Sequence, residues 1–215
     1  MNTTEFFEVM TMNYQEYCKY LQDKYGVPKY DYMTKSFNKN PKISRTKEGL
    51  VVHHIDEDKM IMLSDKNIAA NYPFEWQTKE HLVYCDYLEH LWLHILICKY
   101  PSPDRDPIAD VGIGGVVNFI VPELNDVYSG FQTKQEWRKN CHDKVNNDLV
   151  VYMLLLNQFM CWYRENRKDA DVRILFSSFN EPFGLWERKK NMKMYGIINE
   201  LWKDGAFDFD KWRKR

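Results

Sequence analysis

The chain has 215 residues, 44% of them hydrophobic and 28% charged, and a formal net charge of -1, which suits a packed core in one large domain or two small ones. Its longest apolar stretches fall short of the about 18 residues of a membrane span, and its five scattered cysteines exclude a disulfide framework or cysteine-rich zinc ribbon. We therefore expect a soluble, cytoplasmic protein that is not secreted and has no membrane partner.

The charges are distributed unevenly along the first half of the chain. Residues 5–25 have apolar positions at helical spacing and predict a leading helix that ends at the sequence GVPKY. Residues 33–47 carry five cations and no acid, lack periodicity and predict a basic loop or arm. Residues 48–100 carry nine acids against four cations. On charge alone such runs most simply indicate a solvated surface.

Two short apolar runs follow the basic arm. GLVVHHI at 49–55 and KMIML at 59–63 are separated by an acidic tripeptide, which predicts a two-stranded hairpin. From Glu80 to about Cys98 the pattern becomes helical and apolar on most sides, so this helix is expected to be largely enclosed.

The second half of the sequence is less informative. YPSPDRDP at 100–107 is the clearest break and suggests segments 1–47, 48–100 and 101–215. Glycines at 112, 114 and 115 lack a complete dinucleotide-binding fingerprint. Helices are expected over 143–168 and 185–203. We expect 101–215 to be mostly helical and to contact DNA or form a homodimer.

Five of the six histidines fall between residues 53 and 94. His90 and His94 are one helical turn apart and project from the same face, an arrangement with which two imidazoles bind one cation. A hairpin folding back over this face would add His53 and His54, so that three rings hold a divalent ion and the fourth is free. A single histidine on an apolar helix is more often an ordinary core residue, but an adjacent pair together with an i, i+4 pair favours a metal site.

The histidine pair, the hairpin and the stretch HLVYCDYLEHLWLH at 81–94 resemble the HNH, or ββα-metal, endonucleases, in particular the histidine-rich type found in colicin DNases. The resemblance covers roughly 48–98. It implies an α+β fold, mainly helical around a central ββα-metal motif. The family's asparagine is replaced by His81, with Asn67 or Asn71 as alternatives, and the gap between His54 and His81 is longer than in compact members.

The resemblance implies roles for individual residues. His53, His90 and His94 would hold the metal, and His54 would be the general base. His81 would be a second catalytic residue that orients this base or steadies the hairpin. Cys98, one turn beyond His94, is a competing ligand for a structural site. The ion is left open among zinc, magnesium, manganese and nickel.

The function implied is hydrolysis of DNA in bacterial or phage restriction, defence or homing, with RNA also permitted as substrate. Basic flanks would then hold the nucleic-acid backbone. These expected contacts are Lys35, Lys39, Lys42, Arg45, Lys47, Arg188, Lys189 and Lys190. The alternative is a non-catalytic, zinc-stabilised nucleic-acid-binding or inhibitor protein, in which the histidines bind metal only for folding.

Overall fold

A computed structural model describes residues 1–176 and 188–205. In these ranges the chain is mainly helical with one two-stranded antiparallel sheet, so the expected mainly helical α+β class is confirmed. None of the helices described is both long and apolar enough to cross a membrane. The helices are α1 (Thr3–Val9), α2 (Tyr14–Tyr25), α3 (Lys66–Ala69), α4 (Tyr87–Lys99), α5 (Val121–Tyr128), α6 (Glu136–Val145), α7 (Leu149–Asn166) and α8 (Arg188–Asp204).

The leading helix expected over 5–25 is divided into α1 and α2. Asn13 causes the division, because its side chain accepts a hydrogen bond from the Glu16 amide while the Glu16 carboxylate accepts one from the Asn13 amide. This reciprocal capping box starts a new helix at Tyr14. Helix α2 ends at Tyr25 and is followed by Gly26, whose φ of +80° suits glycine.

The sheet pairs strands that are distant in sequence. Strand β1 (Val51–His54) is antiparallel to β2 (Leu82–Cys85), with His53 opposite Val83 and His54 opposite Leu82. The prediction that 59–63 forms the second strand is wrong. A 3-10 turn, Ile55–Asp58, follows β1 directly and carries the chain away, so the connection between the strands spans residues 55–81.

Helix α4 is the central element of the fold. It begins at Tyr87 rather than at Glu80, because Asp86 and Glu89 form a second capping box directly after β2. Its side chains are buried on nearly all sides, as expected, and it packs against α2, α7 and a π-helical segment, Gly115–Ile120. The order β1, β2, α4 places the end of β1 beside the middle of this helix.

The C-terminal half packs onto the same core. The helix expected over 143–168 is interrupted, since α6 ends at Val145 and α7 begins at Leu149. The π-helical segment runs directly into α5. Helix α8 accounts for the helix expected over 185–203 from its first described residue, Arg188, whereas residues 185–187 lie outside the described part.

Candidate metal centre

Three elements bring four possible metal ligands together. His53 comes from the end of β1, Glu57 from the following 3-10 turn, and His90 and His94 from one face of α4. One ligand atom from each residue lies within 4.8 Å of all the others. The three histidines expected to bind metal are therefore adjacent, and Glu57 joins them. We refer to these four residues as the ligand cluster.

The separations within the ligand cluster fit a small divalent ion. His94 Nε2 lies 3.3 Å from His90 Nε2 and 3.4 Å from Glu57 Oε2. His53 Nδ1 lies 3.4 Å from the same Glu57 oxygen. Ligands at the usual zinc distance of about 2.0–2.1 Å, arranged as a tetrahedron, stand about 3.3 Å from each other. Three edges of such a tetrahedron are therefore already present.

Tyr14 determines which nitrogen of His53 faces the cluster. The Tyr14 hydroxyl donates to the carbonyl oxygen of Ile55 at 2.8 Å, so its oxygen is left to accept from His53 Nε2–H, also at 2.8 Å. The lone pair of the neutral ring is then on Nδ1, which is buried and has no hydrogen-bond partner. A buried, unpartnered lone pair beside a carboxyl group suits a cation.

Burial shifts the protonation of the whole ligand cluster. It lowers the pKa of His53 and His90 well below the usual value, with further lowering from neighbouring histidines. It lowers the pKa of His94 to about 4, and a hydrogen bond that the ring donates to the backbone of Gly112 offsets this in part. It raises the pKa of Glu57 to about 8. Near neutral pH and without a cation, three neutral rings therefore face a protonated carboxyl group.

Glycines allow the π-helical segment to approach α4 closely. A Cβ atom on Gly115 would overlap the His94 ring, and one on Gly112 would lie 2.8 Å from the His94 carbonyl oxygen. Gly112 also has a φ of +85°. Cys98 lies against Gly112 and is not part of the ligand cluster, so the competing assignment of Cys98 as a ligand is not supported.

His54 lies beside the ligand cluster rather than within it. Its Nε2 is 3.2 Å from Gln77 Oε1, and its Nδ1 is 3.9 Å from Glu57 Oε1. The ring packs edge-on against Tyr32, with 4.4 Å between ring centroids. Burial lowers the pKa of His54 to about 4, although the hydrogen bond with Gln77 opposes this shift. The ring is therefore neutral at physiological pH.

His81 lies outside the ligand cluster. Its Nδ1–H donates to Asp56 Oδ2 at 2.6 Å, and its Nε2 is 3.5 Å from Glu75 Oε1. These bonds link the start of β2 to the turn after β1, which fits the steadying role expected of it. Asn67 lies in α3 and Asn71 just after it, and the two residues bond to each other. The side-chain amide of Asn71 donates to the backbone carbonyl oxygen of Asn67 at 2.6 Å.

The ligand cluster opens onto a cleft of about 470 Å³, whose lining includes His54, Glu57, His90 and His94. Apolar side chains, among them Met62 and Phe119, complete its walls. A second cleft of about 420 Å³ shares Tyr32 and Val52 with the first, and its lining includes Lys39, Arg45 and Trp137. The two clefts therefore adjoin each other at His54's neighbour, Tyr32.

The expected nucleic-acid contacts are in different surroundings. Lys39 is exposed, and its Nζ lies 5.0 Å from the centre of the Tyr32 ring. Arg45 is engaged by Glu48 and by the carbonyl oxygen of Tyr25. The others are placed as follows: Lys35 over Phe74, Lys42 over Tyr30, Lys47 exposed, Lys189 and Lys190 on α8, and Arg188 with its side chain outside the described part.

Three residues of the site were not identified from the sequence: Glu57, Tyr14 and Gln77. Glu57 was assigned to a hairpin turn, although its i, i+4 spacing from His53 was a usable signal once a helical turn was considered. Tyr14 and Gln77 are distant in sequence and gave no local signal.

Comparisons with known proteins find no family model, curated protein or solved structure that matches the chain.

Proposed function

We propose that the chain is a metal-dependent endonuclease that hydrolyses phosphodiester bonds in DNA, with an HNH-type site. The observation that carries the proposal is the position of His54. A neutral imidazole lies beside four convergent ligands, with its Nδ1 3.9 Å from Glu57 Oε1, and both residues line the same cleft. A metal site used only for folding does not require a spare histidine on an open cleft.

His53, Glu57, His90 and His94 are the residues that would hold the ion. A divalent ion bound there supplies Lewis-acid stabilisation of the charge that develops on the phosphate and the leaving oxygen. The nitrogen-rich ligand set suits zinc, nickel or manganese better than magnesium. Tyr14 keeps the lone pair of His53 directed at the cluster through its hydrogen bond to Nε2.

His54 acts as the general base in this proposal. At neutral pH its ring is uncharged and can take a proton from an attacking water in the cleft. The water oxygen forms the new bond to phosphorus while the bond to the 3′ oxygen breaks. The departing 3′ oxygen takes a proton from solvent, which leaves 5′-phosphate and 3′-hydroxyl ends. His81 holds the strand start against Asp56 and does not touch the reacting groups.

The second cleft supplies a place for the substrate backbone. Its lining includes Lys39, which carries an ammonium group, and the exposed Trp137, and it meets the first cleft at Tyr32. A cation and an aromatic ring at the edge of a groove suit a sugar-phosphate chain with its bases. Because nothing in these contacts selects deoxyribose, RNA is tested alongside DNA.

A second candidate function has an observation in its favour. The ligand cluster offers four protein ligands, and three of their separations are close to those of a tetrahedral site, as a closed structural zinc site requires. In that case the chain would be a zinc-stabilised binding protein without catalytic activity.

Cleavage assays on variants separate the two functions. Purified protein is incubated with supercoiled plasmid or RNA, with EDTA or with added Zn²⁺, Mn²⁺, Ni²⁺ or Mg²⁺. We expect cutting that EDTA abolishes, and a loss of about 10²- to 10⁴-fold in His54→Ala with metal content and melting temperature retained. His53→Ala is the matched variant and should lose metal as well. No cleavage with any ion, or unchanged cleavage in His54→Ala, would contradict the proposal.

A further inference from the structure

Gln77 reaches His54 from the long connection between the two strands. Its side chain is buried, with only 1% of its surface exposed, and it bonds to two partners. The backbone carbonyl oxygen of Gln77 accepts a hydrogen bond from the backbone amide of Tyr32 at 2.8 Å. Tyr32 also packs edge-on against the His54 ring. Gln77 and Tyr32 are therefore bonded to each other through the backbone, and both contact this ring.

The partners of Gln77 fix the orientation of its amide. The Gln77 Nε2 atom lies 3.1 Å from the carbonyl oxygen of Leu63, which can only accept a hydrogen bond. The amide nitrogen must therefore face Leu63, because a reversed amide would set two oxygens against each other. It follows that Gln77 Oε1 faces His54 Nε2, at 3.2 Å.

This orientation in turn fixes the hydrogen on the His54 ring. Since an amide oxygen can only accept, His54 Nε2 must carry the hydrogen that it donates to Gln77. In a neutral ring the lone pair is then on Nδ1. Nδ1 is the ring nitrogen on the Glu57 side, 3.9 Å from Glu57 Oε1.

We propose that Gln77 is a positioning residue that holds His54 in the Nε2–H tautomer, so that its Nδ1 lone pair faces the ligand cluster. The functional need for this tautomer rests on the proposed role of His54 as general base. The assignment of the tautomer rests only on the hydrogen bonds of Gln77. Gln77 and the Leu63 carbonyl group that orients it both lie in the long 55–81 connection. The site therefore includes a residue from outside the histidine motif.

Nitrogen-15 NMR of the histidine side chains tests the tautomer directly, in the purified protein at pH 8 before and after addition of Zn²⁺. The His54 signals, assigned by their absence in His54→Ala, should show a protonated Nε2 and an unprotonated Nδ1. Gln77→Met has similar length but no amide oxygen, and we expect it to lose this pattern. Gln77→Glu keeps an oxygen acceptor for His54 but places its second oxygen against the Leu63 carbonyl oxygen, so it should restore the pattern only in part. A protonated Nδ1 in the unmodified protein would overturn the inference, whatever the variants do.

Kinetics with plasmid substrate supply the second readout. In Gln77→Met we expect kcat to fall about 10- to 100-fold with KM within twofold, and Gln77→Glu to recover part of the loss. Backbone amide spectra and melting curves verify that both variants fold. A Gln77→Met protein that is folded, keeps the Nε2–H pattern and cuts normally would contradict the inference. If no variant or parent protein cuts, the proposed function fails, and the NMR result still decides the tautomer.

Discussion

Nδ1 of His53 lies 3.4 Å from Oε2 of Glu57, four residues further along the chain. The 3-10 turn after β1 returns this carboxyl group to the strand's last residues, where burial raises its pKa to about 8. A cation at this point would be bound by the carboxylate and not by the acid. Metal binding near neutral pH must therefore displace a proton from Glu57.

We predict that Zn²⁺ binding at pH 7 releases roughly one proton, because Glu57 is mostly protonated in the free protein and the histidines are already neutral. Isothermal titration calorimetry in two buffers of different ionisation enthalpy measures this number. In Glu57→Gln the release should fall close to zero, with weaker binding. An unchanged proton count in that variant would mean that Glu57 is not the group that titrates.

The ligand cluster was only partly predictable from the sequence. His90 and His94 could be paired because helical periodicity alone places them on one face of α4. Their convergence with His53 required a strand ahead of the helix. This strand is present, but it pairs with Leu82–Cys85 and not with residues 59–63 as expected. Glu57 was missed because a run of three acids after a strand fits a polar turn as well as a 3-10 helix. The choice between them depends on packing around the histidines.

The strand pairing shows a second limit of the sequence. Leu82–Cys85 is a fully buried strand of four residues, and its apolar pattern runs directly into that of α4. A buried strand this short cannot be distinguished from the first turn of a buried helix by periodicity. The nearby run at 59–63 gave the stronger local signal for a hairpin partner. Only the long-range pairing with β1 decides between them.

Gly115→Ala should weaken metal binding by displacing a ligand. Its added methyl group would overlap the His94 ring, which has to move away from the cluster or push the π-helical segment outward. We expect zinc affinity to fall at least about tenfold, by analogy with the loss of a ligand's supporting contact. Competition with a fluorescent zinc chelator measures this change.

Gly114→Ala is the matched control for that experiment. A Cβ atom on Gly114 would meet only the Asn118 amide nitrogen, at an ordinary contact distance of 3.7 Å. This variant should bind zinc with nearly unchanged affinity. Equal losses in the two variants would indicate a general effect on the segment rather than a clash with His94.

Tyr14→Phe should reduce metal affinity without removing a ligand. The change deletes the oxygen that accepts from His53 Nε2–H, so the ring is free to adopt the other tautomer and turn its lone pair from the cluster. Loss of such an outer partner typically costs about 10- to 100-fold in affinity. Tyr17→Phe is the control, since the Tyr17 hydroxyl is buried without a hydrogen-bond partner. Zinc titration should therefore distinguish two tyrosines of the same helix.

Glu123 provides a pH-dependent contribution to stability that is separate from the ligand cluster. Burial raises its pKa, but hydrogen bonds from His142 at 2.9 Å and Arg138 at 2.8 Å outweigh burial and hold the pKa below its usual value. A carboxyl group with a lowered folded-state pKa stabilises the fold above its unfolded-state pKa. This contribution is lost as pH falls through the folded-state pKa.

Glu123→Gln should therefore lower the free energy of unfolding by about 1–3 kcal/mol at pH 7, and by progressively less below about pH 4. Urea denaturation at several pH values measures the difference. Glu136→Gln, at an exposed position at the start of α6, is the control and should change little at any pH. A difference for Glu123→Gln that stays constant down to the lowest pH would refute the role of the carboxylate.

Lys39→Gln should weaken substrate binding more than it slows the chemical step. Lys39 is exposed at the second cleft, above the Tyr32 ring that packs on His54, so its charge is next to the proposed base without being part of the ligand cluster. Removing one phosphate contact should raise KM for DNA and lower the slope of log affinity against log salt concentration by about 1. Lys19→Gln is the matched control, because Lys19 is exposed on α2 and pairs with Asp23. Zinc binding should be the same in all three proteins, because neither lysine contacts a residue of the ligand cluster. Equal salt slopes for the parent protein and Lys39→Gln would place the phosphate backbone elsewhere on the surface.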